Sequence, residues 1–448
     1  MKSLYNIAIW FYALAVRVVA MFNPKVRLMW QGEREAFAKI ESGLREVDRV
    51  VWVHAASLGE FEQGRPLIEK LKRENPEYKI LLTFFSPSGY EVRKNYASAD
   101  VIAYLPLDTP RNARRFVELV KPEKVVFVKY EFWLNYLREL RFRGIETYII
   151  SAIFRPNQVF FKWYGGIFRE GLKAFKMLFV QNNESAELLK GIGIENVVVA
   201  GDTRFDRVAD IVAAAKRLEI VERFVGIRNA IPLSPSDSSP NLGEQSGEVQ
   251  NGESLPVLVV GSSWGPDEDL LTRYINERAG RMKMIIAPHE VREERIKELT
   301  SKLTCKYALY TQITDNGLQI TDKTQLSLLI DYDVLVINTI GLLSSIYQYG
   351  QVAYIGGGFG VGIHNTLEAA AWGMPVVFGP NYHKFQEAKE LIECGAGQSI
   401  KNYGECARAL DEFFEKNEVA SKAAAEYVAS HTGATELIYN SQFTIHNS

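Results

Sequence analysis

The sequence has little cysteine: three residues in 448, Cys305, Cys394 and Cys406, with no C-x-x-C pair. So sparse and odd a count excludes a disulfide framework and suits a reducing compartment. Histidine is also scarce, at six, and none stands in an H-E-x-x-H or comparable spacing, so no metal centre is expected. The formal charge of -2 lacks the basic excess that broad nucleic-acid binding needs. No internal repeat of fixed period is visible. What remains is a globular composition, 47% hydrophobic and 24% charged, on a chain too long for one ordinary core and suited to two domains.

Leu4 to Phe22, LYNIAIWFYALAVRVVAMF, is apolar except for Asn6 and Arg17. A stretch of this length is barely able to span a bilayer, and Arg17 is costly at mid-depth. Lys25, Arg27 and Arg34 follow it while only Lys2 precedes it, a bias that keeps the bulk of the chain on the cytoplasmic side. We therefore expect a membrane anchor or an amphipathic helix lying in the interface over residues 1–24.

From Val50 onward, short Val/Ile-rich runs alternate with helix-period segments. Strands are expected over 50–55, 79–85, 101–107, 124–130, 147–152, 176–180 and 196–201. After a polar stretch (232–256) rich in Pro, Ser, Gly and Asn, further strands are expected over 256–263, 283–288, 333–339, 352–355 and 375–378. Near-continuous apolar strands alternating with helices imply α/β units with parallel sheets covered on both faces. The expected division is 25–225, a flexible linker at 226–256, 257–425, and a C-terminal helix and tail at 426–448. The segment from Glu418 to about Tyr439 is expected to be helical and to fold back on the first domain.

In parallel sheets, ligands bind beyond the carboxyl ends of the strands. Glu60, in His54-Ala-Ala-Ser57-Leu-Gly-Glu60, follows the first strand, where a carboxylate can take a proton from a hydroxyl. The same pattern is also a capping box with Ser57 as cap. Glu131 follows the strand at 124–130 and reads either as a second site acid or as an ordinary acid in a first helical turn. Arg204, in Gly-Asp-Thr-Arg-Phe-Asp, can meet an anion or pair with Asp202 or Asp206. Arg155, Lys162, Arg169, Lys173 and Lys176 interleave with Phe160, Phe161, Trp163, Tyr164 and Phe168, a mix suited to phosphorylated lipid, although half or more of such aromatics belong to cores.

In the second half, Ser262, Ser263, His289, Gly341 and Asn365 fall at strand ends and can converge on one ligand. The richest stretch is 352–385, where five glycines lie between Gly356 and Gly362. His364 stands before a short helix that starts at Asn365, with Glu368 on its first turn. A glycine turn, a helix end suited to an anion and a nearby carboxylate fit a nucleotide-sugar pocket. Asn-x-x-Glu is equally a capping pattern. Asp331-Tyr-Asp333 has the D-x-D spacing of metal-dependent glycosyltransferases but precedes its strand, so it is taken as chance.

HAASLGE (54–60), VKYEFW (128–133), GDTRFD (201–206), GSSWGPDE (261–268), NTIGLL (338–343) and GIHNTLEAAAWGMPVVFGP (362–380) occur in this order. Together they resemble the lipopolysaccharide 3-deoxy-D-manno-octulosonic acid (Kdo) transferases over nearly the whole chain. The resemblance implies a GT-B architecture of two Rossmann-like domains facing a cleft. It also implies metal-independent, inverting transfer of Kdo from CMP-Kdo to a lipid A precursor, without a cofactor, at the cytoplasmic face of the inner membrane. Glu60 matches the family's general base. Glu131 and Arg204 match positions that stabilise the transition state. Pro288 and His289, then Ile340, Gly341 and Leu342, then Asn365, Thr366, Leu367 and Glu368, match its CMP-contacting segments.

Three positions depart from the family pattern. Leu342 stands where Glu is usual, leaving only backbone contacts there. Arg204 replaces Lys, keeping the charge and changing the geometry. Ala287-Pro288-His289 replaces Pro-Arg-His. Two alternatives stay open on sequence: a GT-B enzyme using a UDP-sugar, transferase or epimerase, and a membrane-tethered sugar-nucleotide-binding protein without catalysis.

Overall fold

The computed structural model describes residues 2–226, 255–315 and 328–443. The polar segment expected as a linker therefore lies outside the described residues, apart from its two ends. Contacts divide the chain into two units, one running to Arg207 and rejoined by the residues from His431, the other Val208–Ser430.

The first unit is built on β1 (Arg49–His54), β2 (Tyr78–Phe84), β3 (Val101–Tyr104), β4 (Lys124–Val128), β5 (Glu146–Ala152), β6 (Met177–Val180) and β7 (Val197–Val199). All seven pair in parallel in the order β3-β2-β1-β4-β5-β6-β7. Both faces of β1 are buried: Val50 and Trp52 enter one core with Phe116, Phe127 and Tyr136, while Val51 and Val53 enter the other with Phe61 and Phe84. This is why the strand reads as a continuous apolar run rather than an alternation. Several strands end earlier than the sequence suggests, β3 and β4 for visible reasons. β3 stops at Tyr104, shortly before Pro106, and β4 stops where Lys129 turns to φ +65°.

Ahead of β1 stand α1 (Lys2–Phe22) and α2 (Pro24–Gly43). Asn23 caps α2, accepting from Lys25 N at 2.9 Å, and Arg27 Nε donates to Ala20 O at 3.0 Å, closing the carbonyl end of α1. The helix that follows β1, α3 (Leu58–Glu74), takes Ser57 as its cap.

The expected helix from Glu418 to Tyr439 is two helices, Asn417–His431 and Ala434–Gln442, because Gly433 adopts φ +103° between them. Asp206 holds the second of these, accepting from Gly433 N at 2.6 Å and Thr435 N at 2.7 Å. Tyr439 Oη donates to Asn75 Oδ1 at 2.8 Å, and Ile438 is buried in the first unit's core.

The second unit carries β8 (Val257–Ser263), β9 (Lys283–Pro288), β10 (Tyr307–Leu309), β11 (Val334–Val336), β12 (Val352–Ile355), β13 (Val376–Phe378) and β14 (Gly397–Ser399). These also pair in parallel, in the order β10-β11-β9-β8-β12-β13-β14. β10 and β14 were not expected: each is three residues long and lies at a sheet edge, where little apolar signal is needed. In each unit the first strand sits between a strand reached by one winding direction and a strand reached by the other, β2 and β4 around β1, β9 and β12 around β8. Such a reversal opens a crevice at the carboxyl ends of the strands.

Candidate active site

At the reversal point of the first sheet, β1 ends in His54 and β4 runs through Lys129 to Glu131. His54 Nε2 lies 3.1 Å from Glu131 Oε2, and its Nδ1 lies 2.9 Å from Thr83 Oγ1 on β2. Trp133 Nε1 donates to the same Glu131 oxygen and stands 3.1 Å from His54 Nε2. Both His54 and Glu131 are buried. Two aromatic ring nitrogens, His54 Nε2 and Trp133 Nε1, thus stand against one oxygen of the buried acid, so that oxygen is not left without a partner. Sequence reasoning singled out Glu131 and passed over His54.

Glu60 lies on the first turn of α3, half-buried. Ala56 N donates to its Oε2 at 2.7 Å, and Glu60 N donates to Ser57 Oγ at 3.4 Å. Ser57 thus caps α3, while the Glu60 carboxylate reaches back to the peptide of Ala56. Burial raises the Glu60 pKa to about 7, with the charge of Glu131 adding to the effect and the Ala56 amide opposing it. A carboxyl poised there is suited to exchange protons near neutral pH.

Arg204 starts the helix Arg204–Ala213 and pairs with Asp202, with Nε 2.9 Å from Oδ2. Gln63 Nε2 also donates to Asp202, at 3.0 Å to each oxygen, and the Asp202 carboxyl, although buried, is held below its usual range chiefly by Arg204. The ion-pair reading of Arg204 is therefore realised. In the basic-aromatic stretch, Phe160 is core, Lys173 pairs with Glu170 and Lys176 with Glu146, while Trp163 is 91% exposed.

In the second unit, β8 ends with Ser262 at φ +53° and a buried Ser263, whose Oγ donates to Glu268 Oε1 at 3.1 Å. Glu268 also pairs with Arg295. His289 follows β9 and Pro288, and its N donates to Ser263 O at 3.0 Å. The His289 ring stacks on Trp264 and on His364, both at 4.5 Å and 25°, while Trp264 Nε1 donates to His364 Nε2 at 3.1 Å. His289 therefore lies over two rings joined edge to edge. Burial and the neighbouring His289 lower the His364 pKa, consistent with its role as the acceptor in that bond.

The glycine turn after β12 is held from below by Asp267. Its carboxylate accepts from Gly357 N, Trp264 N and Tyr354 Oη, each at 2.9 Å. Gly357 has φ +90°, and a Cβ there would lie 2.6 Å from Gly362 O, so a side chain is excluded. Asp267 was not among the expected site residues. It is the acid of GSSWGPDE, and its role depends on a contact 90 residues away.

The helix after Asn365 is shorter than expected, a single turn at Leu367–Ala370 capped at Thr366. Asn365 Oδ1 accepts from Leu367 N at 3.1 Å, and Asn365 Nδ2 donates to Glu368 Oε1 at 3.0 Å, so the capping pattern is real. One turn carries little dipole, which weakens the expected helix-end attraction for an anion. The Thr366 hydroxyl is buried and has no hydrogen-bond partner among the described residues, and Leu367 is core. Gly341 takes φ +94° in the loop after β11, leaving Ile340 85% exposed, and Leu342 caps the helix Leu343–Ile346. Asp333 of the D-x-D pattern accepts from Gly280 N at 2.7 Å and Lys306 N at 3.1 Å, a loop clamp. Among the described residues, no group of three or more His, Cys, Asp or Glu side chains is placed to hold a metal ion.

These strand-end constellations belong to a chain with close kin. A family model described as 3-deoxy-D-manno-octulosonic-acid transferase (kdotransferase) matches residues 31–207. The chain is 27% identical over 376 residues to the 3-deoxy-D-manno-octulosonic acid transferase of Aquifex aeolicus, covering 83% of this chain and 88% of that relative. It is 25% identical over 456 residues to that of Bordetella pertussis, covering 95% and 96%. Among solved structures, UDP-GlcNAc 2-epimerase from Neisseria meningitidis, bound to UDP-GlcNAc, superposes with a TM-score of 0.56 at 16% identity over 88% of this chain and 98% of that one. That likeness is one of fold, two parallel α/β units of the GT-B kind. With the sheets, the family model over residues 31–207 and relatives spanning most of the chain in agreement, the chain is a glycosyltransferase of GT-B fold that resembles the 3-deoxy-D-manno-octulosonic acid transferases of lipopolysaccharide biosynthesis.

Proposed function

We propose that the chain moves Kdo from CMP-Kdo to a lipid A precursor, with inversion and without a metal, at the cytoplasmic face of the inner membrane. The observation that carries the reading is Glu60, a half-buried carboxyl raised to about 7 beside the buried Glu131. Glu60 takes the proton of an acceptor sugar hydroxyl as its oxygen bonds to the anomeric carbon of Kdo. The bond from that carbon to the CMP phosphate oxygen breaks, and its electron pair leaves with CMP. Attack on the face opposite the leaving group inverts the centre. Glu131, fixed by His54 and Trp133, supports positive charge building on the sugar ring.

CMP is assigned to the second unit, at Ser262, Ser263, Pro288, His289, Ile340, Gly341, Leu342 and the turn from His364 through Asn365, Thr366, Leu367 and Glu368. The rigid glycine turn over Asp267 and the exposed His289 support this assignment. Arg204 helps to balance the anionic charge, with Asp202 setting its direction.

Membrane attachment is assigned to α1, lying in the interface. Tyr5 Oη donates to Asp108 Oδ2 at 2.6 Å and Asn135 Nδ2 to Asn6 Oδ1 at 2.9 Å near its start, while Arg27 holds its last carbonyls. A helix tied along one side at both ends lies beside its unit, and the other side exposes Leu4, Ile7, Trp10, Phe11, Leu14, Val18 and Phe22. The test of the whole reading is transfer from CMP-Kdo to a tetraacylated lipid A precursor, with the product identified by mass. Protection of the second unit by UDP rather than CMP would overturn the donor assignment.

A further inference from the structure

Three aromatic rings run from α1 to Glu131. Tyr12 stacks on Phe85 with centroids 6.4 Å apart and planes at 30°. Phe85 meets Trp133 at 4.8 Å, and Trp133 donates to the Glu131 carboxylate. Tyr12 is 41% exposed, and Phe85 and Trp133, although they pack on core clusters, are half-buried, so part of each ring stays open. Phe85 is also rigidly placed relative to the base. The peptide of Ala56 donates its N–H to Glu60 Oε2, while the Ala56 carbonyl accepts from Phe85 N at 3.3 Å and Ser86 N at 2.8 Å.

A polar group waits at the α1 end of the row. Glu33 Oε1 on α2 is buried and accepts no hydrogen bond among the described residues. Its carboxyl lies within electrostatic reach of Tyr12 and Tyr104, and burial raises its pKa to about 8, so it stands protonated at neutral pH and able to donate.

We infer that Tyr12, Phe85 and Trp133 form the platform on which the acceptor's sugar stacks as it leaves the lipid surface, with Tyr12 and Phe85 acting as positioning residues for the hydroxyl that Glu60 deprotonates. Sugar rings carry one face of C–H groups, which packs against the electron-rich face of an aromatic ring. An exposed ring on the lipid-facing helix and a half-buried ring at the base are placed to take two successive parts of one amphipathic glycolipid. A small number of polar groups at the edge of such a surface then fixes orientation.

The inference rests on the proposed acceptor, and the experiment separates the two. Tyr12→Ala, Phe85→Ala and Phe85→Leu are compared with Tyr12→Phe and Phe85→Tyr. Two acceptors are used, the tetraacylated lipid A precursor in vesicles and its fully deacylated disaccharide. The expected result is a rise of tenfold or more in acceptor KM for both acceptors in the ring-removing variants. The CMP-Kdo KM should stay within about twofold, and the ring-keeping variants should behave as the parent. Phe85→Leu keeps apolar bulk, so a fall in folding stability is distinguished from a loss of stacking. Calorimetric binding of the deacylated disaccharide, read without turnover, should weaken in parallel. Effects confined to the acylated acceptor would mean that the rings hold an acyl chain, and overturn the platform. Unchanged acceptor KM in an active Tyr12→Ala or Phe85→Ala protein would also overturn it, leaving the proposed function intact. A parent protein that transfers Kdo to neither acceptor would instead remove the proposed function, and the calorimetric comparison would still decide the platform.

Discussion

His54 and Glu131, 77 residues apart in the chain, meet side chain to side chain at 3.1 Å beyond the carboxyl ends of β1 and β4. The contact ties the last residue of β1 to the loop after β4 in one polar network with Thr83 and Trp133. Replacing His54 by Ala leaves a void and takes one partner from Glu131, an expected loss of roughly 2–4 kcal/mol in folding stability. Denaturant unfolding should show that loss, and steady-state kinetics should show kcat falling more than either KM. A His54→Ala protein with parental stability and turnover would contradict the positioning role.

Glu60→Gln tests the base directly. The amide oxygen can still accept from Ala56 N, so the start of α3 is kept. Turnover should fall about 10²–10⁴-fold, the range of a lost general base. CMP-Kdo affinity, measured by calorimetry, should stay within twofold. Turnover near the parental value would remove Glu60 from the role.

The pH dependence follows from the same group. As a base Glu60 works ionised, so kcat/KM should climb through an acid limb near pH 7 rather than in the ordinary carboxylate range. Glu131 contributes to the upward shift after burial does, and Glu131→Gln should move the limb to lower pH. Stability runs the opposite way. The folded pKa lies above the unfolded one, so the native state is favoured at low pH, and that advantage is lost as pH rises through about 7. Glu60→Gln should therefore be more stable than the parent at pH 8, on the order of 1–3 kcal/mol, and nearly equal to it at pH 5. Equal unfolding midpoints at both pH values would argue against a strained carboxyl.

Asp267→Ala strips three donors of their acceptor beneath the glycine turn. An expected cost of about 3 kcal/mol or more follows from leaving them buried. CMP binding should weaken at least tenfold, while the acceptor-side ring network is untouched. Parental CMP affinity in this variant would detach the turn from the nucleotide.

Activity should be undiminished in EDTA. Loss of transfer in chelator, restored only by an added divalent cation, would overturn the metal-free proposal.

Much of the scaffold was readable because both sheets are parallel and covered on two faces. Runs such as Val50–Val53 or Val257–Val260 carry too much apolar character for any other use. β10 and β14 escaped notice because short edge strands carry little such signal. The placement of Glu60 and Glu131 just after β1 and β4 was legible from the alternation of strands and helices. His54 and Asp267 were not, since their importance lies in partners supplied from distant parts of the chain. The split of the C-terminal helix at Gly433 was also hidden. Helical periodicity continues on both sides of one residue, and only its positive φ, with Asp206 receiving the freed amides, reveals the break.

The clamp formed by Asp206, Asn75 and the closing helix has an effect on biosynthesis. The first unit is interrupted in sequence, and the piece that completes it is made only after the whole second unit. During translation its sheet must wait, with Phe443 and Ile438 still missing from one core, until the entire second unit has left the ribosome. Synthesis at roughly 5–20 residues per second makes that a delay of tens of seconds. The nascent first half is then a natural client for chaperones, and a ribosome stalled after Ser430 would release a half that cannot seal itself.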